Sequence, residues 1–506
     1  MSDIVVWHRA DLRSVDNPAL AAAAEDGAPT PVFVFDPHFY GSDSLACDAR
    51  LRFVHESLRD LRRQYRDRGG DLALLHGDPR EVIPSLLERG YEMYCNRGVT
   101  ARYGRRRDDE ILGYEAVTVF EDDGIVRPDE RHPDGTVAVD TRGNWREQCE
   151  AYFESDPHPR PDSLSDNPLE STVTIDGIEN RYDVSPSKSN VLEGGTTAGH
   201  ERLSQFVDRL PEYPAMVSPP GTAEERSSRL SPYLAIGALS LREVYQRVQD
   251  APDSRGKSMF TSRLFWNRHY TQKLADWPGW TERAVNPVMH GLFRDEHNPD
   301  HVAAWKHGET GFPMVDAAMR ALVETGYLNF RARAMVASFF VYVLREHWKR
   351  GADFMYDHLL DADPAINYTQ WQSQANLTGV HPVRVYDPTK QLREYDPDGT
   401  FVRRYVPALQ SVPDAYLAEP AKMDVATQRA VGVQIGVDYP YPIVDYQRRA
   451  GEARERYAAL ADRAEEALSD PVVRRRGSFS NRRRDREGET SDDGNGEGQA
   501  SLDEFR

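Results

Sequence analysis

The stretch Thr310-Gly311-Phe312-Pro313-Met314-Val315-Asp316-Ala317-Ala318-Met319-Arg320-Ala321-Leu322 opens an apolar helical run that continues through Arg331 and Arg333 and is followed by Asp361, Asp363, Asn367 and Trp371. Burying charges of both signs among Ala, Val, Phe and Met side chains is costly unless the charges pair or hold something polar. A helical core with internal ion pairs meets that condition, and so does a pocket for a polar ligand. Ala317, Ala318, Ala332, Ala334 and Ala337 leave room for helices to approach closely, so both readings place this stretch in an all-α domain.

Outward from that run, helical periodicity dominates residues 201–465 and predicts one helical domain. Residues 126–200 are rich in Pro, Gly, Asp and Ser and read as a connector over the surface. Residues 1–125 alternate β-rich runs with helical patterns. Ile4 to Trp7, Val32 to Phe35, Leu72 to Leu75, Tyr91 to Tyr94 and Val117 to Phe120 predict a doubly wound parallel sheet of about five strands. No GxGxxG follows a strand, which argues against a Rossmann dinucleotide site. Residues 466–506 lose apolar side chains, carry an arginine cluster and then an acidic Gly-rich stretch, and read as a disordered tail.

Composition excludes several classes. No run of about 18 apolar residues and no basic, apolar leader is present, so a soluble cytoplasmic protein without a membrane partner is expected. Cys47, Cys95 and Cys149 are scattered without metal-ligand spacing, and no metal is expected. The 82 acidic residues exceed the 63 basic ones for a net charge of −19, which disfavours indiscriminate nucleic-acid binding. Lys is scarce and Arg supplies most cations, a balance that fits a halophile's solvated acidic surface, on which a local basic cleft can still form.

The thirteen residues quoted first closely resemble the flavin-domain signature of the DNA photolyase/cryptochrome family. Ser228-Arg229-Leu230-Ser231-Pro232-Tyr233-Leu234-Ala235, the run from Asp361 to Trp371, and Trp7-His8-Arg9-Ala10-Asp11-Leu12-Arg13 with Asp16-Asn17-Pro18 agree in order and spacing. The resemblance spans roughly residues 1 to 460, and the acidic composition suits a haloarchaeal-type deoxyribodipyrimidine photolyase. It implies FAD in the helical domain, held by Tyr213, Ser227, Ser228, Arg229, Leu230, Ser231, Arg333, Asp361, Ala362, Asp363 and Asn367. Ser228 and Ser231 would offer hydroxyl and amide groups to the diphosphate, Arg333 would pair with Asp361 beside the ring system, and Asn367 would face flavin N5. An amide there accepts or donates a hydrogen bond without titrating.

Trp371 and Trp348 match the first two members of the family's electron relay. The third position is Asp295, which cannot carry the hole, so either another aromatic such as Trp305 or Phe293 offers a route out or photoreduction is impaired. Damaged DNA is the implied substrate, its dimer flipped into a cavity. Trp266, Arg331 and Gln391 match DNA-side contacts, with Tyr270 beside Trp266. Arg263, Phe330, Ala334 and Ser373 depart from the cyclobutane-dimer pattern. A cryptochrome-type photosensor is therefore the alternative. Cys95-Asn96 and Arg102-Tyr103-Gly104-Arg105 lie near the antenna loop, where a second chromophore, folate or deazaflavin, would sit. The terminal Gln499, Leu502 and Phe505 resemble a sliding-clamp docking peptide. A monomer is expected.

Overall fold

A computed structural model describes residues 3–41, 44, 46–127, 145–165, 169–380 and 383–477. Five parallel strands, β1 (Ile4–His8), β2 (Thr30–Phe35), β3 (Ala73–His76), β4 (Glu92–Asn96) and β5 (Val117–Phe120), form one sheet in the order β3-β2-β1-β4-β5. Helices α1 (Pro18–Asp26), α2 (Asp48–Arg66), α3 (Pro79–Glu88) and α4 (Arg102–Ile111) connect them. The predicted doubly wound sheet is thus present. Both of its faces are covered: Ile4, Val6, Leu72 and Leu74 pack with Leu58 and Leu61 on one side, Val5, Val32, Ala73 and Met93 with Ile83 and Leu86 on the other. Burial on both faces explains why these strands read as continuous apolar runs rather than alternating ones.

The expected connector is more than a surface wrap. Its helix Trp145–Glu154 sends Cys149 and Phe153 into the core formed with Leu264 and Phe265, and Ile175 and Ile178 of Ile175–Arg181 enter the sheet's own core. A few apolar side chains among many polar ones escape a periodicity count but bury fully. The helical domain also runs past residue 465, because Ala461–Ser469 and Pro471–Gly477 are helices with Ala464 and Val473 buried. Gln499, Leu502 and Phe505 lie outside the described residues.

The helical domain opens at Thr196 and carries five helices that matter for the site: α5 (Arg255–Asp276), α6 (Pro313–Thr325), α7 (Phe330–Ser338), α8 (Trp348–His358) and α9 (Pro364–Gln374). The signature stretch is the turn into α6. Buried Asp316 accepts from the Thr310 and Gly311 amides, from Thr310 Oγ1 at 2.5 Å and from the Tyr439 hydroxyl at 2.6 Å, while burial pushes its carboxyl up. Gly311 has φ 78°, and a Cβ there would meet the Tyr441 carbonyl oxygen at 2.4 Å. The most recognisable residues of the sequence are therefore an architectural clamp.

The two domains share a core. Ala49 and Phe53 of α2 pack with Tyr233 and Leu360, and Arg50 donates to the carbonyls of Tyr356 at 2.7 Å and Leu359 at 3.0 Å. Among the described residues no helix is long and apolar enough to cross a membrane.

Candidate flavin and nucleic-acid site

Arg333 and Asp361 pair as the sequence suggests. Arg333 Nη2 lies 2.9 Å from both Asp361 oxygens, and Nε donates to the Leu328 carbonyl at 2.8 Å. Helix α7 supplies the arginine one turn after its Asn329 cap, and the loop entering α9 supplies the carboxylate. Asp363, two residues on, is the N-cap of α9 and accepts from the Ile366 amide at 2.9 Å. Burial pushes its carboxyl up, opposed by the Ile366 amide and by Arg268. Ala362 between them is half-buried.

Asn367 follows Asp363 by one turn, is buried, and gives its Nδ2 to the Ala352 carbonyl of α8 at 3.0 Å. That bond fixes the amide orientation. Its Oδ1 has no partner among the described residues, so an acceptor remains for a ligand.

The Ser227–Ser231 segment is shaped from outside. Arg202 donates to the Ser228 carbonyl at 2.7 Å and to that of Ser227 at 3.2 Å. Arg229, expected as a cofactor contact, has φ 46° and turns its guanidinium to the carbonyls of Glu224 and Asn190 and over the Tyr327 ring. Its side chain is a strut, leaving only its backbone to a ligand. Leu230 is buried in the core. The amides of residues 228 to 231 and the hydroxyls of Ser228 and Ser231 find no partner among the described residues. The helix that follows, Ser231–Ala235, has five residues, so these loop donors rather than a long helix dipole would meet an anion.

Tyr327 was missed by the sequence reading. Its hydroxyl lies 3.1 Å from Ser227 Oγ and donates to the Ala223 carbonyl at 3.3 Å. It adjoins Arg333 and Asp361 electrostatically and so ties the serine loop to the ion pair. A lone Tyr between Gly326 and Leu328 carries no motif that could have flagged it.

The residues present fit FAD. Loop amides with two hydroxyls suit a diphosphate, and the Arg333–Asp361 pair, Asp363 and the spare Asn367 oxygen suit a polar ring edge. Tyr213 is buried against Phe206 and Phe260 with its hydroxyl on Arg263.

Arg263, Trp266 and Tyr270 occupy one face of α5, as spacings of three and four require. Trp266 is half-buried with its ring centroid 4.8 Å from His269 and 5.8 Å from Tyr270. Tyr270 lies near Gln370 of α9, and α5 packs along the Asn367 helix. Arg331 stacks its guanidinium 3.8 Å from the Tyr395 ring centroid, and burial lowers its pKa. Gln391, one turn before Tyr395, is buried with Oε1 unpartnered among the described residues. Phe330 and Ser373 are half-buried and Ala334 is buried.

Trp371 and Trp348 are both buried on facing helices. Trp305 lies 6.2 Å from Trp371 between ring centroids, and Asp295 is exposed. In the sheet domain, Asn96 donates to Asp11 and Asn17, Cys95 is buried, and Tyr103 stacks on His38 at 3.5 Å while donating to Asp36.

Comparison with known proteins agrees with the two-domain fold and with a flavin-binding helical domain. Residues 260–459 match the FAD binding domain of DNA photolyase, and residues 4–162 match DNA photolyase. A cryptochrome DASH of Natronomonas pharaonis is 32% identical, covering 89% of this chain and 99% of that protein. A deoxyribodipyrimidine photo-lyase of Halobacterium salinarum is 30% identical over 90% of this chain and 98% of its own length. The crystal structure of a Synechocystis cryptochrome superposes with a TM-score of 0.78 at 25% identity, over 90% of this chain and 98% of that one.

Proposed function

The chain belongs to the DNA photolyase/cryptochrome family, and from that premise we propose that it is a light-driven DNA repair lyase acting on a pyrimidine dimer. When bound, FAD supplies light absorption and the transferable electron. The protein's part is positional. Arg333 and Asp361 orient the ring system, and the amides and hydroxyls of Ser228 and Ser231 hold the diphosphate. The Asn367 oxygen offers an acceptor that does not titrate, which suits a ligand whose protonation changes with redox state. Trp266 stacks a flipped base, with Arg263 and Arg331 countering phosphate charge and Gln391 and Tyr270 bordering the cavity.

The observation that carries this reading is Trp266. A large aromatic stays half-buried in the middle of α5 although Leu264, Phe265, His269 and Tyr270 around it are buried. It stands on the face joined to the Asn367 helix, where a base could reach both. The test is light-dependent restoration of ultraviolet-irradiated DNA by the reduced protein. Failure of restoration with flavin bound and photoactive would sink it.

A photosensor without repair is the second reading. It is favoured by the replacement of lesion contacts at Arg263, Phe330, Ala334 and Ser373, and by relatives that divide between photolyases and cryptochromes. Equal affinity for damaged and undamaged DNA would select it. Docking of Gln499, Leu502 and Phe505 on a sliding clamp belongs to the repair reading.

A further inference from the structure

We propose that Tyr368 is the terminal donor of the light-driven electron relay and that Asp353 takes its proton. The inference rests on the flavin reading above, because a photoexcited oxidised flavin is the one-electron oxidant that starts the relay.

Helices α8 and α9 face each other along two successive turns. On one turn the Trp348 ring lies 6.3 Å from the Tyr368 ring at 85°, and on the next a Cβ at Gly351 would meet the six-membered ring of Trp371 at 2.4 Å. Trp348 and Tyr368 are therefore in ring contact, and Trp371 packs on α8 one turn further along. Tyr368 is buried, and its hydroxyl donates to Asp353 Oδ1 at 2.7 Å. Asp353 is a third exposed, so a proton received there can pass to water.

The surroundings couple the electron to that proton. Lys349, which pairs with Asp353, places Nζ 4.8 Å from the Tyr368 ring centroid. A cation over the ring opposes an oxidised phenol that keeps its proton, and the opposition falls away once the neutral phenoxyl forms. Burial, then the adjacent carboxylate, push the phenol far above its ordinary range, so it keeps its proton in the dark. In the step itself the Trp348 radical cation takes one electron from Tyr368. The O–H bond breaks, the proton goes to Asp353, and neutral Trp348 and a neutral tyrosyl radical remain. A thiolate resets the radical by giving one electron and leaves as a thiyl radical, while the proton returns from Asp353 to the phenol oxygen.

The other exits lack these features. Trp305 is fully buried, and its indole Nε1 has no acceptor among the described residues, so a hole there cannot shed its proton. Phe293 has no ionisable proton and lies beneath Arg456, 5.5 Å from its ring centroid. Tyr356 stacks on Tyr368 at 5.6 Å with Arg50 over it, but no carboxylate among the described residues bonds its hydroxyl.

Electron paramagnetic resonance on full-length protein carrying ring-deuterated tyrosine identifies the radical in two ways. Azide radicals from pulse radiolysis oxidise tryptophan without light on the flavin, and blue light drives the flavin-loaded protein. In both, the parent and Trp305→Phe should show a tyrosyl radical that is lost in Tyr368→Phe. In Asp353→Asn a tryptophan radical should persist instead, and formation of the parent's tyrosyl should slow in D2O. An unchanged tyrosyl signal in Tyr368→Phe, or its loss only in Trp305→Phe, overturns the proposal. A Tyr368 radical under radiolysis with no flavin photoreduction under light would overturn the flavin reading and with it the light-driven relay, and would leave only the step from Tyr368 to Trp348 standing.

Discussion

Asp361 and Arg333 test how a buried pair is held. Their side chains are 9% and 14% exposed, and removing one partner strands a nearly buried charge at a cost of about 3–5 kcal/mol. Asp361→Ala should therefore lose flavin on purification and unfold at lower denaturant, read from the flavin-to-protein absorbance ratio and from urea titration. Unchanged flavin content would remove the pair from the site. Trp266 is a contrasting residue, because its loss should leave the fold alone. Base–aromatic stacking contributes about 1–3 kcal/mol, so Trp266→Ala should weaken binding to irradiated DNA about 10- to 100-fold. Affinity for intact DNA should barely change, and fluorescence anisotropy with both duplexes checks it.

Among the elements, α8 is the most constrained. Gly351 in its middle would ordinarily gain about 0.5–1 kcal/mol on replacement by Ala, from reduced backbone freedom. Here the new Cβ would meet Trp371 at 2.4 Å and Phe340 at 3.0 Å, and overpacking costs about 1–3 kcal/mol. Gly351→Ala should thus destabilise the protein and slow flavin photoreduction; a variant more stable than the parent would show that Trp371 can yield. His347 precedes the first turn of the same helix. Burial, with Arg294, Arg350 and Lys349 nearby and Asp353 opposing them, pushes its pKa down to about 4 from 6.5. Between those values the unfolded chain binds more protons than the folded one, so stability falls as pH drops from about 6.5 toward 4. His347→Gln should flatten that dependence, measured as urea midpoint against pH. A slope identical to the parent's would count against the burial.

At the scale of the whole molecule the net charge of −19 sets the solution behaviour. Like charges on a compact surface repel one another, and salt shortens the reach of that repulsion from about 30 Å at 0.01 M to about 3 Å at 1 M. The melting temperature should rise as salt is raised over that range, by calorimetry. A fall would mean that attractive pairs such as Arg59–Glu179 and Arg62–Asp71 outweigh the excess acid.

The sequence by itself determined the architecture and the chemistry-bearing residue types. Strands buried on both faces leave continuous apolar runs, and helices leave a period of 3.6, so the five-stranded sheet and the helical domain could be read without coordinates. Opposite charges in one apolar segment said only that partners were needed, and it was the family resemblance that paired Arg333 with Asp361. Other features were decided only in three dimensions. Tyr327 joins the serine loop to the ion pair across a hundred residues, and Arg229, which sits inside a binding motif, turns away from it. Asp316, the centre of the most recognisable stretch, serves a turn. Tyr368 lies within the Asp361–Trp371 run without a role of its own there, and becomes a candidate donor only because α8 and α9 bring Trp348, Asp353 and Lys349 around its ring. Local pattern records which face of an element is buried. It does not record which side chains from distant elements meet there, because that depends on how helices pack.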